Sequence, residues 1–104
     1  MAELVRIQVD FNYGGVDSDG RGIVYLGQKS GDRRKMISSV FEDLTQHGLE
    51  PRQGLRLLVY EPGADLDEHG SLDLEVEAVL QFDEDEGWFA AYDRDTTRSV
   101  RPAS

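Results

Sequence analysis

Asp65-x-Asp67-x-His69-Gly70-x-Leu72 is the stretch whose residue types and spacing come closest to a chemical site. It matches part of a calcium loop, with acids at the first and third places, glycine at the sixth and an apolar residue at the eighth. A hard cation takes about six to eight oxygens, and a bidentate glutamate closes the loop at its twelfth place. Val76 stands there instead, between Glu75 and Glu77, and His69 brings nitrogen where oxygen is usual. Asp65, Asp67 and Glu75 therefore make a calcium reading that lacks its closing ligand, and no EF-hand helices flank the loop. The plainer account is turn chemistry, because Asp and Gly shape turns without any ion. Asp17-Ser18-Asp19-Gly20 invites the same two readings more weakly.

Catalysis finds less support. The chain has two histidines, His47 and His69, and no cysteine. The missing thiols remove disulfides, thiolate metal sites and cysteine nucleophiles together. His47 immediately precedes Gly48 at the expected end of a helix, where an imidazole bonds free carbonyls. His47 has no partner at a telling spacing, His69 lies among acids in the loop before the hairpin, and no G-x-S-x-G, G-x-G-x-x-G, phosphate-loop or H-E-x-x-H pattern occurs. Carboxylates are plentiful, but acid–base work needs one of them held in a dry pocket. These alternate with apolar residues, as the wet face of a strand does. The expectation is a non-enzymatic protein without a cofactor, calcium being the single exception.

Partner binding is the stronger reading, and it rests on charge. Residues 1–60 hold eight acids and eight bases, whereas residues 61–104 hold thirteen acids and three bases, which accounts for the whole net charge of −10. From Glu61 to Glu86 eleven carboxylates occur without a Lys or Arg. Such a surface repels phosphate, so direct nucleic-acid binding is disfavoured. Charge runs are most often solvated faces, yet a uniform bias would not leave the first half neutral.

Within this stretch Leu72, Leu74, Val76, Ala78, Leu80 and Phe82 take alternate places, and Asp73, Glu75, Glu77, Val79 and Gln81 fall between them. A three-residue loop closed by a left-handed Gly87 would join this strand to Trp88–Tyr92. Val79, Phe89 and Ala91 then share the outer face, an apolar spot inside an acidic rim. The partner-binding set is Asp73, Glu75, Glu77, Val79, Glu84, Asp85, Glu86 and Phe89. The expectation is a protein-binding or inhibitory module acting through this acidic hairpin on a protein with a basic surface, such as one whose groove takes nucleic acid. The competing view packs the helix on that face and makes both sides core. Homo-oligomerisation through an exposed strand edge is a third possibility.

Positioning these residues falls to a small β-rich fold. Val5, Ile7, Val9 and Phe11 alternate with polar residues as a first strand, and residues 22–27 read as a second. Ser30 or Asp32 caps a helix of about four turns that ends at Gly48, with Ile37, Val40, Phe41 and Leu44 as its apolar stripe. Arg33, Arg34 and Lys35 would then oppose the macrodipole in its first turn, so either the helix begins later or these cations have acidic partners. Leu55 to Tyr60 is a third strand, stopped by Glu61-Pro62-Gly63 and followed by a polar loop to Ser71. Beyond the hairpin, Asp93 or Asp95 caps a single helical turn, and residues 99–104 form a flexible tail behind one domain of residues 1–98. The order β-β-α-β-β-β is α+β, mainly β, with about five strands and one helix: a small curled antiparallel sheet or an SH3-like barrel. No apolar run approaches the roughly 18 residues of a membrane span, and the N-terminus lacks a secretory layout, so a cytoplasmic setting is expected.

Overall fold

Alternating stretches scattered along the chain pair into a single open sheet. The computed structural model describes residues 4–101. Its strands are β1 (Arg6–Gln8), β2 (Gly14–Val16), β3 (Gly22–Tyr25), β4 (Arg56–Asp67), β5 (Gly70–Asp83), β6 (Gly87–Tyr92) and β7 (Arg98–Val100). One helix, α1 (Ser38–Gln46), and a 3-10 turn at Arg94–Thr96 complete it. The strand order is β1-β4-β5-β6-β3-β2, and β7 pairs with β5 beyond the end of β6. β1 joins β4 in parallel, and the other neighbours are antiparallel. This is the α+β, mainly β fold expected from the sequence, as an open sheet and not a closed barrel.

Register assigns the faces. Val76 lies opposite Val59, Ala78 opposite Leu57 and Tyr92, and Leu80 opposite Ala90, so their side chains share one side. Ile7, Val24 and Leu26 join them, and Val40 and Leu44 of α1 cover the layer. Each such large side chain contributes about 1.5–3 kcal/mol by leaving water. The inward set from Val76 to Tyr92 is the one that alternation implies. The β5–β6 turn is the expected three-residue loop, with Asp83 opposite Gly87 and Gly87 at φ +76°.

Four expectations are corrected. The helix starts at Ser38, not near Ser30 or Asp32, because the chain before it is tied to the sheet. Gln28 and Ile37 donate their amides to the Lys35 and Leu26 carbonyls, and Gly27 bridges Met36. Asp32 spends its carboxylate on the Arg34 amide and guanidinium, and Phe41 stands 49% exposed instead of completing the buried stripe. Second, Pro62 and Gly63 do not end the third strand. They sit in an irregularity between Glu61 and Asp65 where no ladder bond is needed, with Gly63 at φ +67°. Third, the supposed polar loop before Ser71 is the tip of a long hairpin that turns through Glu68 and His69. Fourth, Ser99 and Val100, placed in a tail by sequence, belong to β7; residues 102–104 lie outside the described residues. β2 was not expected from the sequence at all.

Candidate functional site

The helix occupies one side of the sheet, and the partner-binding residues sit on the other. Ile23, Ala91, Val79 and Arg56 form one row across β3, β6, β5 and β4, and Tyr25, Phe89 and Gln81 form the next. Val79, Phe89, Ile23 and Tyr25 are half-buried, and none belongs to the core layer under α1. Phe89 and Val79 thus share one face, as alternation implied, and α1 packs on the other side of the sheet instead of on theirs. The Arg33 guanidinium lies 4.8 Å from the Tyr25 ring centre and 4.0 Å from Glu86. Arg33, expected in the first turn of the helix, therefore borders this face instead. Burial raises the Tyr25 phenol above its ordinary pKa, and the nearby Glu86 carboxylate adds to that.

The rim is not uniformly acidic, which corrects the expected wet belt. Asp73 and Glu75 are only 5% and 7% exposed. Arg6 lies 3.8 Å from Asp73 and 3.6 Å from Glu75, and its guanidinium stacks 4.0 Å from the centre of the Tyr60 ring. Arg98 donates to Glu75 from Nε and Nη2 at 2.9 and 2.6 Å. Asp73 also accepts the Gly63 amide at 3.2 Å, holding the irregular part of β4 in place. Glu77 pairs with Arg56. Buried carboxylates need such partners, so these two are structural neighbours of the face and not free anions on it. The acids that do stand in water are at the β5–β6 tip. Asp83 accepts the Asp85 and Glu86 amides at 2.8 and 3.1 Å, closing the loop, while Glu84 and Asp85 have no salt-bridge partner among the described residues.

The calcium candidates are dispersed among other partners. Ser99 donates its hydroxyl to Asp65 at 2.6 Å, Asp67 pairs with Arg101, and Glu75 with Arg98. Among the described residues no group of three or more His, Cys, Asp or Glu is placed to hold a metal ion. His69 lies at the hairpin tip 3.3 Å from Glu68, and His47 Nδ1 is 2.8 Å from the Asp43 carbonyl at the end of α1. Asp17 closes its own turn: burial pulls its carboxyl up, but bonds from Arg21 and the Asp19 amide outweigh that and leave its pKa lowered.

Two cavities stand out among the described residues. One, of about 730 Å³, lies between the start of α1 and the ends of β1 and β3 and includes Val9, Leu26, Lys29, Ser38 and Ser39. The other, of about 660 Å³, opens where the chain leaves β6 and includes Arg6, Leu58, Glu77, Asp93 and Arg98. No histidine lines either. Sequence reasoning missed Arg6, Arg98 and Arg101 as partners of the acidic stretch. Val100 between Ser99 and Arg101 was the available signal, too short to distinguish a strand from a tail. No helix among the described residues is long and apolar enough to cross a membrane. Comparison with protein-family models, curated proteins and solved structures finds no match.

Proposed function

We propose that this chain is a non-enzymatic protein-binding module that meets a basic partner through the helix-free face of its sheet and the acidic β5–β6 tip. The carrying observation is the patch of half-buried apolar side chains, Val79, Phe89, Ile23 and Tyr25, that the helix does not cover and that lies beside Glu84 and Asp85. Apolar contact at the centre supplies affinity, and unpaired acids at one end steer a cationic surface into register. Asp73, Glu75 and Glu77 lie along β5 on that same face and, through their arginine pairs, hold the guanidinium groups beside it in place. A cytoplasmic setting goes with this proposal.

Affinity capture from a cytoplasmic extract, followed by titration of the captured protein, tests it. Phe89→Lys is expected to abolish binding. Glu84→Lys with Asp85→Lys is expected to weaken it at least about tenfold and to flatten its salt dependence. Binding that survives Phe89→Lys and ignores ionic strength would remove the proposal.

A further inference from the structure

β7 singles out three carboxylates. Arg98 binds Glu75, the Ser99 hydroxyl binds Asp65, and Arg101 binds Asp67. These are the same acids that resemble an incomplete calcium loop in the sequence, so the chain's own segment delivers the positive charge and the donor that an ion would have brought. A backbone ladder adds to the fit, with Arg98, Ser99 and Val100 opposite Glu75, Leu74 and Asp73. The strip formed by β5 and the β4–β5 hairpin thus accepts an extended strand with cations at its first and fourth positions and a hydroxyl at its second.

The segment that fills this strip is weakly held. β7 is three residues long and is separated from β6 by a turn that Asp93 caps for itself through the Asp95 amide. The side chains of Arg98 and Arg101 are 65% and 49% exposed. The Arg101–Asp67 pair is exposed on both sides and is screened by salt, and a three-residue pairing opens more readily than a long one. Glu75 and Asp73, by contrast, are 7% and 5% exposed; Arg6 stays beside both, and Glu75 takes its second cation from Arg98. A short, largely exposed strand therefore covers a strip whose acids favour a cationic strand.

We propose that β7 is a displaceable latch: Arg98–Arg101 occupies, within the same chain, a docking strip on β5 and the β4–β5 hairpin that takes an extended basic segment of a partner protein. This deepens the reading above and rests on it, since it names where the partner's cations go. Residues 93–97 tether the latch closely, so it competes at high local concentration and holds the strip closed against weak ligands. Strand addition to an existing sheet supplies the backbone part of the contact, and the acids select the side chains.

The probe is the synthetic peptide Thr-Thr-Arg-Ser-Val-Arg, copied from residues 96–101, titrated at low salt into the nitrogen-15-labelled full chain. The full-chain variant Arg98→Ala/Arg101→Ala is titrated in parallel. The variant is expected to bind at least about tenfold tighter than the wild type, with amide shifts confined to residues 65–76. Adding Asp65→Asn and Asp67→Asn is expected to cancel that gain. A folded variant that ignores the peptide, binds it no better than the wild type, or answers a scrambled peptide equally overturns the latch. If the variant does not fold, hydrogen exchange on the wild type decides. The β7 amides should exchange at least about a hundredfold faster than the Leu80 amide, and equal protection overturns the latch. Phe89→Lys should leave the peptide titration unchanged. Loss of partner binding in that variant, beside a silent strip, would end the latch and leave the binding face standing.

Discussion

At Gly87 the absence of a side chain decides how two loops meet. Its φ is +76°, and a Cβ built there would stand 1.9 Å from the Arg33 carbonyl oxygen. Gly87→Ala is expected to cost about 2 kcal/mol or more, from left-handed strain and the collision together. A chemical denaturation series measures that, and a neutral result would mean that residues 31–35 do not rest on β6. Glu75 poses a different problem. Removing both Arg6 and Arg98 strands a carboxylate that is 7% exposed, at a cost of about 2 kcal/mol. Glu75→Gln leaves two arginines that reach water and should cost less. The reverse order in denaturant melts would show that the pair is not what keeps Glu75 buried. Alternation in the sequence correctly put Glu75 opposite the core face. It said nothing of Arg6 and Arg98, because pairing between residues so far apart depends on which strands become neighbours.

Helix α1 illustrates the limits of local signals at the next scale. Ile37, Val40, Phe41 and Leu44 are spaced as one stripe, but Ile37 is extended at ψ 132° and serves as an N-cap without a side-chain bond. Sheet bonds to residues 35–37 override the capping preference of Asp32, which a single-stretch view has no means of seeing. Leu44→Ala is expected to cost about 3 kcal/mol, since the side chain is 0% exposed, while Phe41→Ala stays within about 0.5 kcal/mol at its 49% exposure. Thermal melts separate the two. For β7 the pH behaviour follows from Asp65, whose carboxyl is held below its ordinary pKa first by the Ser99 hydroxyl and then by the Leu66 amide. A depressed folded value means a contribution present in full above the ordinary aspartate range and lost as the pH falls through the depressed one. Acidification should therefore loosen the β7 amides before those of β6, and Ser99→Ala should return the Asp65 titration toward its ordinary position. NMR titration follows both, and simultaneous loss in β6 and β7 would contradict them.

Across the whole molecule, folding redistributes a charge that the chain keeps in one half. Arg6, Arg33 and Arg56 come from the neutral first sixty residues and face Glu75, Glu86 and Glu77 of the acidic second half. The net charge of −10 is consequently thinned in the middle of the sheet and concentrated at the hairpin tips. Self-repulsion among those tip acids acts against the compact state, and exposed pairs stabilise it only slightly. Moderate salt is thus expected to raise the melting temperature, and a steady fall with salt would mean that the exposed pairs matter more than the repulsion. A basic partner would relieve the same repulsion, which is why its affinity should decline as salt rises.

What the sequence determined by itself was facing and turning. Side chains in an extended chain alternate sides whatever lies beside them, so Val76, Ala78 and Leu80 were destined for one face and Val79 for the other. Gly87 marked its hairpin for an equally local reason, since only glycine takes that backbone conformation freely. Tertiary structure alone decided that β1 runs parallel to β4, that the chain before Ser38 is tied to the sheet instead of joining the helix, and that β7 lies along β5. Each of those depends on bonds between distant segments. The role of Asp73 and Glu75 changed with them, from a solvated belt to a buried pair of anions, because a carboxylate's surroundings are set by what folds over it.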